Sequence, residues 1–260
     1  MNRRRILLGT GWKMNKTARE AADYAQRLVR VLDDIRGLDD IQLFVIPPFT
    51  AIDAVKRASA GRFWVGAQNM HWEEWGPYTG EISAPMLEEL GVDLVELGHA
   101  ERRRYFNETD ECVQRKVHTA LKHGIRPLVC IGERLEERER GIEKETISRQ
   151  LKIAFGGVAA KHAPILIVAY EPVWAIGEQG RAASVEDVRS MSGHIRGLLE
   201  EIFGADASPV PVLYGGTVDM SNCSELLKAG AIDGLFIGRA AWNVEGFARL
   251  IGSCAAGARL

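Results

Sequence analysis

The 260-residue chain is short of cysteine, of excess charge and of long apolar runs, and each shortage narrows what it can be. Its four cysteines, Cys112, Cys130, Cys223 and Cys254, lie far apart and form no C-x-x-C pair. That argues against a metal knuckle or a disulfide framework and suits a reducing cytoplasm. Thirty-three basic residues nearly balance 35 acidic ones, so neither a nucleic-acid nor a membrane-surface partner is expected. Arg3-Arg4-Arg5 has the look of a signal-peptide n-region, but the apolar run behind it stops at Leu8. Neither a signal peptide nor a membrane span is expected. No Pro/Ser-rich linker divides the chain, so residues 1–260 are expected to form one domain, a size at which single α/β barrels are common.

What is present is alternation. Short apolar runs at Ile6–Gly9, Ile41–Ile46, Phe63–Ala67, Asp93–Leu97, Pro127–Ile131, Ile165–Tyr170, Val210–Tyr214 and Gly234–Ile237 read as strands. Between them, helical periodicity is expected at Ala18–Leu32, Ala51–Ala58, Ala84–Leu90, Glu111–His123, Leu135–Phe155, Val185–Ile202, Ser221–Ala229 and Val244–Ile251. Strands buried on both faces read as continuous apolar runs, and eight strand–helix units of roughly 30 residues predict an α/β fold, a closed (β/α)8 barrel. An open doubly wound sheet is the alternative, but the G-x-G-x-x-G turn it usually carries after its first strand is absent.

In such a barrel the loops after the strands share one face, so residues distant in sequence converge there. After the sixth run, Glu171 stands at a strand end, Pro172 stops the ladder, and a segment through Gly177 and Gly180 leads to the next helix near Val185. This is the layout of a general base beneath a closing lid; equally, the glutamate could cap a strand-to-helix turn. Lys13, after the first strand, offers a cation at the barrel mouth or is simply solvated. His99 follows Gly98 at a strand end with a helix beyond it. The positive end of that helix disfavours imidazolium and favours a neutral ring that donates a hydrogen bond, unless the ring is a structural one satisfied by backbone. Glu101 reads as a support residue, paired with Lys13 or with a following arginine. Tyr214-Gly215-Gly216-Thr217 and Gly238-Arg239-Ala240-Ala241 follow the last two strands. Their backbone N–H groups can approach an anion closely, at the usual phosphate position of these barrels.

The set contains a cation, a histidine, a carboxylate under a lid and an anion nest. It lacks metal-ligand spacing, a nucleophile elbow and a Schiff-base lysine, so neither a metal nor a cofactor is expected. Such a set can remove a proton beside a carbonyl and stabilise the enediolate of a small phosphorylated sugar. One loop, Gln68 to Glu81, carries Trp72, Trp75 and Tyr78 and is expected to dock in a second subunit, giving a homodimer; folding back on its own barrel is the alternative.

Along nearly its whole length the chain resembles the triosephosphate isomerase family. The matching runs are Trp12-Lys13-Met14-Asn15, Gly66-Ala67-Gln68-Asn69, Tyr78-Thr79-Gly80-Glu81, Leu97-Gly98-His99, Glu101-Arg102-Arg103, Cys130-Ile131-Gly132-Glu133, Ala169 to Gly177 and Tyr214-Gly215-Gly216. The family pairs a glutamate base with a neutral histidine electrophile under a closing loop. The resemblance therefore implies Glu171 as base, His99 as electrophile, Lys13 as electrostatic stabiliser and Glu101 as second carboxylate. It also implies Gly177, Thr217 and Gly238 as phosphate ligands and Thr79 as the tip that enters a partner subunit.

The departures are informative. Gly11 stands where the family usually has asparagine, Ala100 where it has serine, and Arg239 where it has a second nest glycine. The lid, Gly177-Glu178-Gln179-Gly180-Arg181-Ala182-Ala183, is longer than usual. Together these are similar to the isomerase-like subgroup that acts on erythrulose phosphate in erythritol breakdown. That subgroup would convert L-erythrulose 1-phosphate to D-erythrulose 4-phosphate, with Gly11 providing room for the larger substrate. An ordinary triosephosphate isomerase and a non-catalytic phosphate-binding barrel are the alternatives.

Overall fold

The computed structural model describes residues 6–177, 180–207, 209–228 and 231–257. Eight strands close into a barrel in sequence order: β1 (Ile6–Gly11), β2 (Ile41–Ile46), β3 (Trp64–Ala67), β4 (Leu94–Leu97), β5 (Arg126–Ile131), β6 (Ile167–Tyr170), β7 (Val212–Tyr214) and β8 (Gly234–Ile237). Every neighbouring pair is parallel, and β1 pairs with β8 from Leu7↔Gly234 to Thr10↔Ile237. That pairing closes the sheet and excludes the open doubly wound alternative.

Strand side chains alternate between two cores. Leu7, Phe44, Ile46, Leu94, Leu128, Ile167, Ala169, Leu213 and Phe236 fill the barrel interior, while Leu8, Val45, Val65, Val95, Val129 and Val168 face the helices. Gly9 is glycine for a packing reason. A Cβ there would lie 2.1 Å from the Phe44 ring, which occupies that space in the interior.

The surrounding helices are α1 (Ala18–Leu32), α2 (Ile52–Ser59), α3 (Ala84–Glu89), α4 (Ala100–Tyr105), α5 (Asp110–Lys122), α6 (Leu135–Glu139), α7 (Glu143–Ala154), α8 (Val185–Phe203), α9 (Cys223–Lys228) and α10 (Val244–Gly257). Two of the long ones start on reciprocal caps: Thr17 with Glu20 for α1, and Ser184 with Asp187 for α8.

Several predicted elements need adjustment: α4 is a short helix outside the expected ranges, and the last helix runs on from Ile251 to Gly257. The long helix expected over Leu135–Phe155 is two helices, because Gly141 takes φ +70° and turns the chain between α6 and α7. Ile165 belongs to a 3₁₀ turn, Ala160–Ile165, that contains Pro164, so β6 starts later. β7 begins at Val212 because Pro211 has no N–H to donate to a ladder. Ala229 and the lid residues Glu178 and Gln179 lie outside the described residues.

Candidate active site

The C-terminal ends of the strands surround a cavity of about 390 Å³. Gly11, Lys13, His99, Glu101, Glu171, Gly177, Thr217, Gly238 and Arg239 all line it, so every site residue read from the sequence converges there.

Glu171 follows β6 directly, and its backbone N–H donates to the Ile131 carbonyl at 2.7 Å. The neighbouring backbone is stripped of side chains to seat it. A Cβ on Gly132 would lie 1.9 Å from the Glu171 carbonyl oxygen, and one on Gly215 would lie 2.6 Å from its Cγ. The residue is 3 % exposed, and its Oε2 has no hydrogen-bond partner among the described residues. Burial pushes its pKa up to about 8, with Lys13 offsetting part of the rise. A buried carboxyl with one oxygen unsatisfied among the described residues thus stands in the cavity wall beside His99.

His99 caps α4, and its Nδ1 accepts the backbone N–H of Glu101 at 3.2 Å. An acceptor at Nδ1 places the ring proton of the neutral form on Nε2, which lies 3.4 Å from Glu171 Oε2. Burial first, and then the ammonium of Lys13, lowers the ring's pKa to about 4. A pKa so lowered favours the neutral ring near pH 7, with burial as the main cause. Gly98 permits the turn ahead of it at φ +75°, and its N–H donates to Glu108 Oε2 at 3.1 Å.

Lys13 occupies the left-handed region at φ +52°, a conformation that costs a non-glycine residue on the order of 1–3 kcal/mol. Gln68 holds it there, its side-chain amide donating to the Lys13 carbonyl at 2.7 Å. The ammonium pairs with Glu101 Oε1 at 2.7 Å. Of the two partners the sequence allowed Glu101, the structure selects Lys13.

The far end of the cavity is formed by the loops after β7 and β8. Gly238 begins a 3₁₀ turn, Arg239–Ala241, with no side-chain cap, and no atom of the described residues lies within 4 Å of where its Cβ would be. Gly238, Arg239 and Ala240 line the cavity, and the start of such a turn is suited to an anion. The Thr217 hydroxyl donates to the Ala175 carbonyl at 2.8 Å, which leaves the backbone of that loop to meet a ligand. The Arg239 side chain reaches across to the lid and donates from Nη2 to the Gly177 carbonyl at 3.0 Å. The lid stem is anchored from below: Glu133 Oε1 accepts Trp174 Nε1 at 2.7 Å and the Tyr170 hydroxyl at 3.2 Å.

Gly11 is less open than its lack of a side chain suggests. An added Cβ would sit 3.1 Å from Phe236 Cζ and 3.7 Å from Glu96 Oε2. Glu96 is a cavity residue that the sequence reading passed over. The signal was a single carboxylate in the otherwise apolar run Leu94-Val95-Glu96-Leu97. Glu96, His99 and Glu171 offer metal-ligand atoms within 4.8 Å of one another, and among the described residues this is the only such group.

In the loop after β3, Trp72 stacks on His71 at 4.2 Å and lies under Arg115, while Thr119 donates to its carbonyl at 2.8 Å. Trp72 thus packs on its own barrel. Trp75, at 70 % exposed, and Thr79 face solvent. No helix among the described residues is long and apolar enough to cross a membrane.

A sequence profile described as triosephosphate isomerase matches residues 6–254. An L-erythrulose-1-phosphate isomerase of Mesorhizobium japonicum is 51% identical over 254 residues, covering 96% of this chain and 97% of that protein. A triosephosphate isomerase of Alkaliphilus oremlandii is 46% identical, covering 95% of this chain and 99% of the relative. The crystal structure of triosephosphate isomerase from Bartonella henselae superposes with a TM-score of 0.85 at 32% identity, covering 96% of this chain and 98% of that one. With the closed barrel and these matches over nearly its full length, the chain belongs to the triosephosphate isomerase family.

Proposed function

We propose that the chain is a sugar-phosphate isomerase that converts L-erythrulose 1-phosphate to D-erythrulose 4-phosphate by proton transfer through an enediolate. The observation that carries the reaction class is the free Oε2 of Glu171, 3.4 Å from the Nε2 of a neutral His99, in a cavity that ends in an uncapped turn. The phosphate would rest on the backbone N–H groups near Gly177, Thr217 and Gly238, with Arg239 adding positive charge beside them. Glu171 takes the proton from C3, and the electrons move through the enediolate onto the C2 oxygen. His99 Nε2–H and the Lys13 ammonium stabilise the oxygen charge as it develops. The carboxyl then returns the proton to C2, the hydroxyl proton passes from O3 to O2, and the carbonyl stands at C3. Glu101 holds Lys13 in place and, through its backbone N–H, fixes the His99 tautomer. Neither step calls for a metal or a redox cofactor.

The four-carbon substrate is supported by the 51% identity to a protein of that name and by Gly11, which replaces a side chain beside the reacting atoms. The second reading is a triosephosphate isomerase, supported by the Alkaliphilus oremlandii relative at 46%. Parallel measurement of kcat/KM on L-erythrulose 1-phosphate and dihydroxyacetone phosphate separates them. A strong preference for the three-carbon substrate would defeat the first reading.

We infer also that the working form is a homodimer in a reducing cytoplasm. Met14, beside Lys13, is 94 % exposed, and the loop from Gln68 to Glu81 presents Trp75, Tyr78 and Thr79 to solvent. A two-fold interface that sets the loop of one copy against Met14 of the other would cover both apolar surfaces at once. The four cysteines are all unpaired, which accords with a reducing compartment.

A further inference from the structure

Glu96 has no place in the proton transfer described above, and its surroundings offer it little. It is the third residue of β4 and shares the inward face with Leu94, so it enters the barrel interior among Cys130 and Phe236. It is 7 % exposed, and among the described residues its one hydrogen bond comes from the Cys130 thiol, 3.9 Å from Oε1. A carboxyl in such a position loses its hydration and gains only a weak thiol contact. An aliphatic side chain would fill the same interior position without that cost.

Two features give the carboxyl a ligand. It lines the cavity, and its oxygen and the reacting groups His99 and Glu171 all lie within 4.8 Å of one another. It also stands across the barrel from the anion nest, since β4 is four strands from β8 in the closed order. A substrate anchored by phosphate near Gly238, with its reacting carbons under Glu171, therefore directs its remaining end toward Glu96. Gly11 adjoins the same corner: the position its Cβ would take lies 3.1 Å from Phe236 Cζ and 3.7 Å from Glu96 Oε2.

Resting on the reading of the chain as a carbonyl-shifting isomerase, we propose that Glu96 is a specificity-determining residue. Its carboxyl hydrogen-bonds the hydroxymethyl group that the four-carbon substrate carries on the carbon remote from its phosphate. Burial, reinforced by the neighbouring charge of Glu171, raises the Glu96 pKa well above the usual carboxylate range. The neutral acid can both donate to and accept from a hydroxyl. A three-carbon substrate has no group to offer there and leaves the carboxyl unmatched. Glu96 thus supplies the polar partner that rewards a substrate bearing that group.

The test is kcat/KM of wild type, Glu96→Leu and Glu96→Gln on L-erythrulose 1-phosphate and on dihydroxyacetone phosphate, with Tm recorded for each. If the triose is not turned over, its competitive inhibition constant replaces its kcat/KM. Glu96→Leu should lower the four-carbon to three-carbon ratio by about 10- to 100-fold, the range for a lost hydrogen bond to substrate. It should do so with Tm unchanged or raised, because a buried carboxyl has been replaced by an apolar group. Glu96→Gln, which keeps a donor and an acceptor, should recover most of the ratio. A ratio that stays within about 3-fold of wild type in both variants overturns the proposal, as does loss of both activities in equal measure with a lowered Tm. If Glu96→Leu fails to fold, the ratio in Glu96→Gln and in Glu96→Val decides. Wild type inactive on both substrates would instead remove the isomerase reading itself, and this inference with it.

Discussion

Replacing Gly215 with alanine tests whether Glu171 is the base and whether its placement is as exacting as the geometry implies. Gly215 lies outside the left-handed region, so its backbone tolerates alanine. The added Cβ would stand 2.6 Å from Glu171 Cγ and 2.8 Å from Oε1. Restoring ordinary contact requires a movement of about 1 Å. Movement of the Glu171 backbone is blocked on the other side, where Gly132 already lies against the Glu171 carbonyl. The side chain must therefore yield, and it carries the reacting oxygen. A misplacement of about 1 Å at a reacting group costs about 100-fold in rate, equivalent to about 2.7 kcal/mol of transition-state stabilisation. Stability should change little, since alanine also restricts the unfolded chain, worth about 0.4–1 kcal/mol. The assay is steady-state kinetics beside a thermal melt. A kcat reduced about 100-fold with Tm nearly unchanged is expected. A kcat within about 3-fold of wild type would refute the reasoning, because Glu171 would then be either mobile or not the base.

Four further outcomes can be measured. Because Glu171 must be ionised to accept a proton, kcat/KM should fall on the acid side through a limb near pH 8, distinct from the substrate phosphate's own ionisation near about 6; an acid limb in the ordinary carboxylate range would sink that placement. The same raised pKa means that folded Glu171 holds its proton where the unfolded chain has lost it. Its contribution to stability is fully present below the unfolded pKa and is lost as pH rises toward about 8, so Glu171→Gln should raise Tm more at pH 8 than at pH 5. Inorganic phosphate or sulfate should inhibit competitively through the turn at Gly238, and no inhibition at tens of millimolar would count against an anion site there. Changing Trp75 and Thr79 together to small polar residues should shift sedimentation from dimer to monomer with loss of activity, whereas an unchanged assembly would move the subunit contact elsewhere.

Much of this architecture is local and could be read from the chain. Apolar runs that mark strands buried on both faces, and 3.6-residue periodicity between them, are properties of neighbouring residues, so the eight strand–helix units were legible. Lys13, His99 and Glu171 stood out because each polar group follows a strand in a loop that the barrel gathers onto one face. The breaks were less legible. Gly141 divides α6 from α7 only because it takes φ +70°, a conformation glycine tolerates but does not impose. The loop aromatics were expected to need cover, and which of them the chain covers for itself depends on distant groups. Arg115 and Thr119 hold Trp72 and leave Trp75 outside.

Facing and partnership were decided only by closure. Whether Glu101 would meet Lys13 or an arginine depended on the loop after β1 approaching the loop after β4, 88 residues apart in the chain. The same holds for Arg239, whose guanidinium crosses 62 residues of sequence to reach Gly177. Glu96 is the clearest case. In sequence it is one charged residue in an apolar run, with nothing to say which way it points. Strand alternation places it on the face of Leu94, and closing the sheet turns that face into the cavity floor beside Gly11 and Glu171. Side-chain identity is written along the chain, but direction across a closed barrel exists only once β1 has met β8.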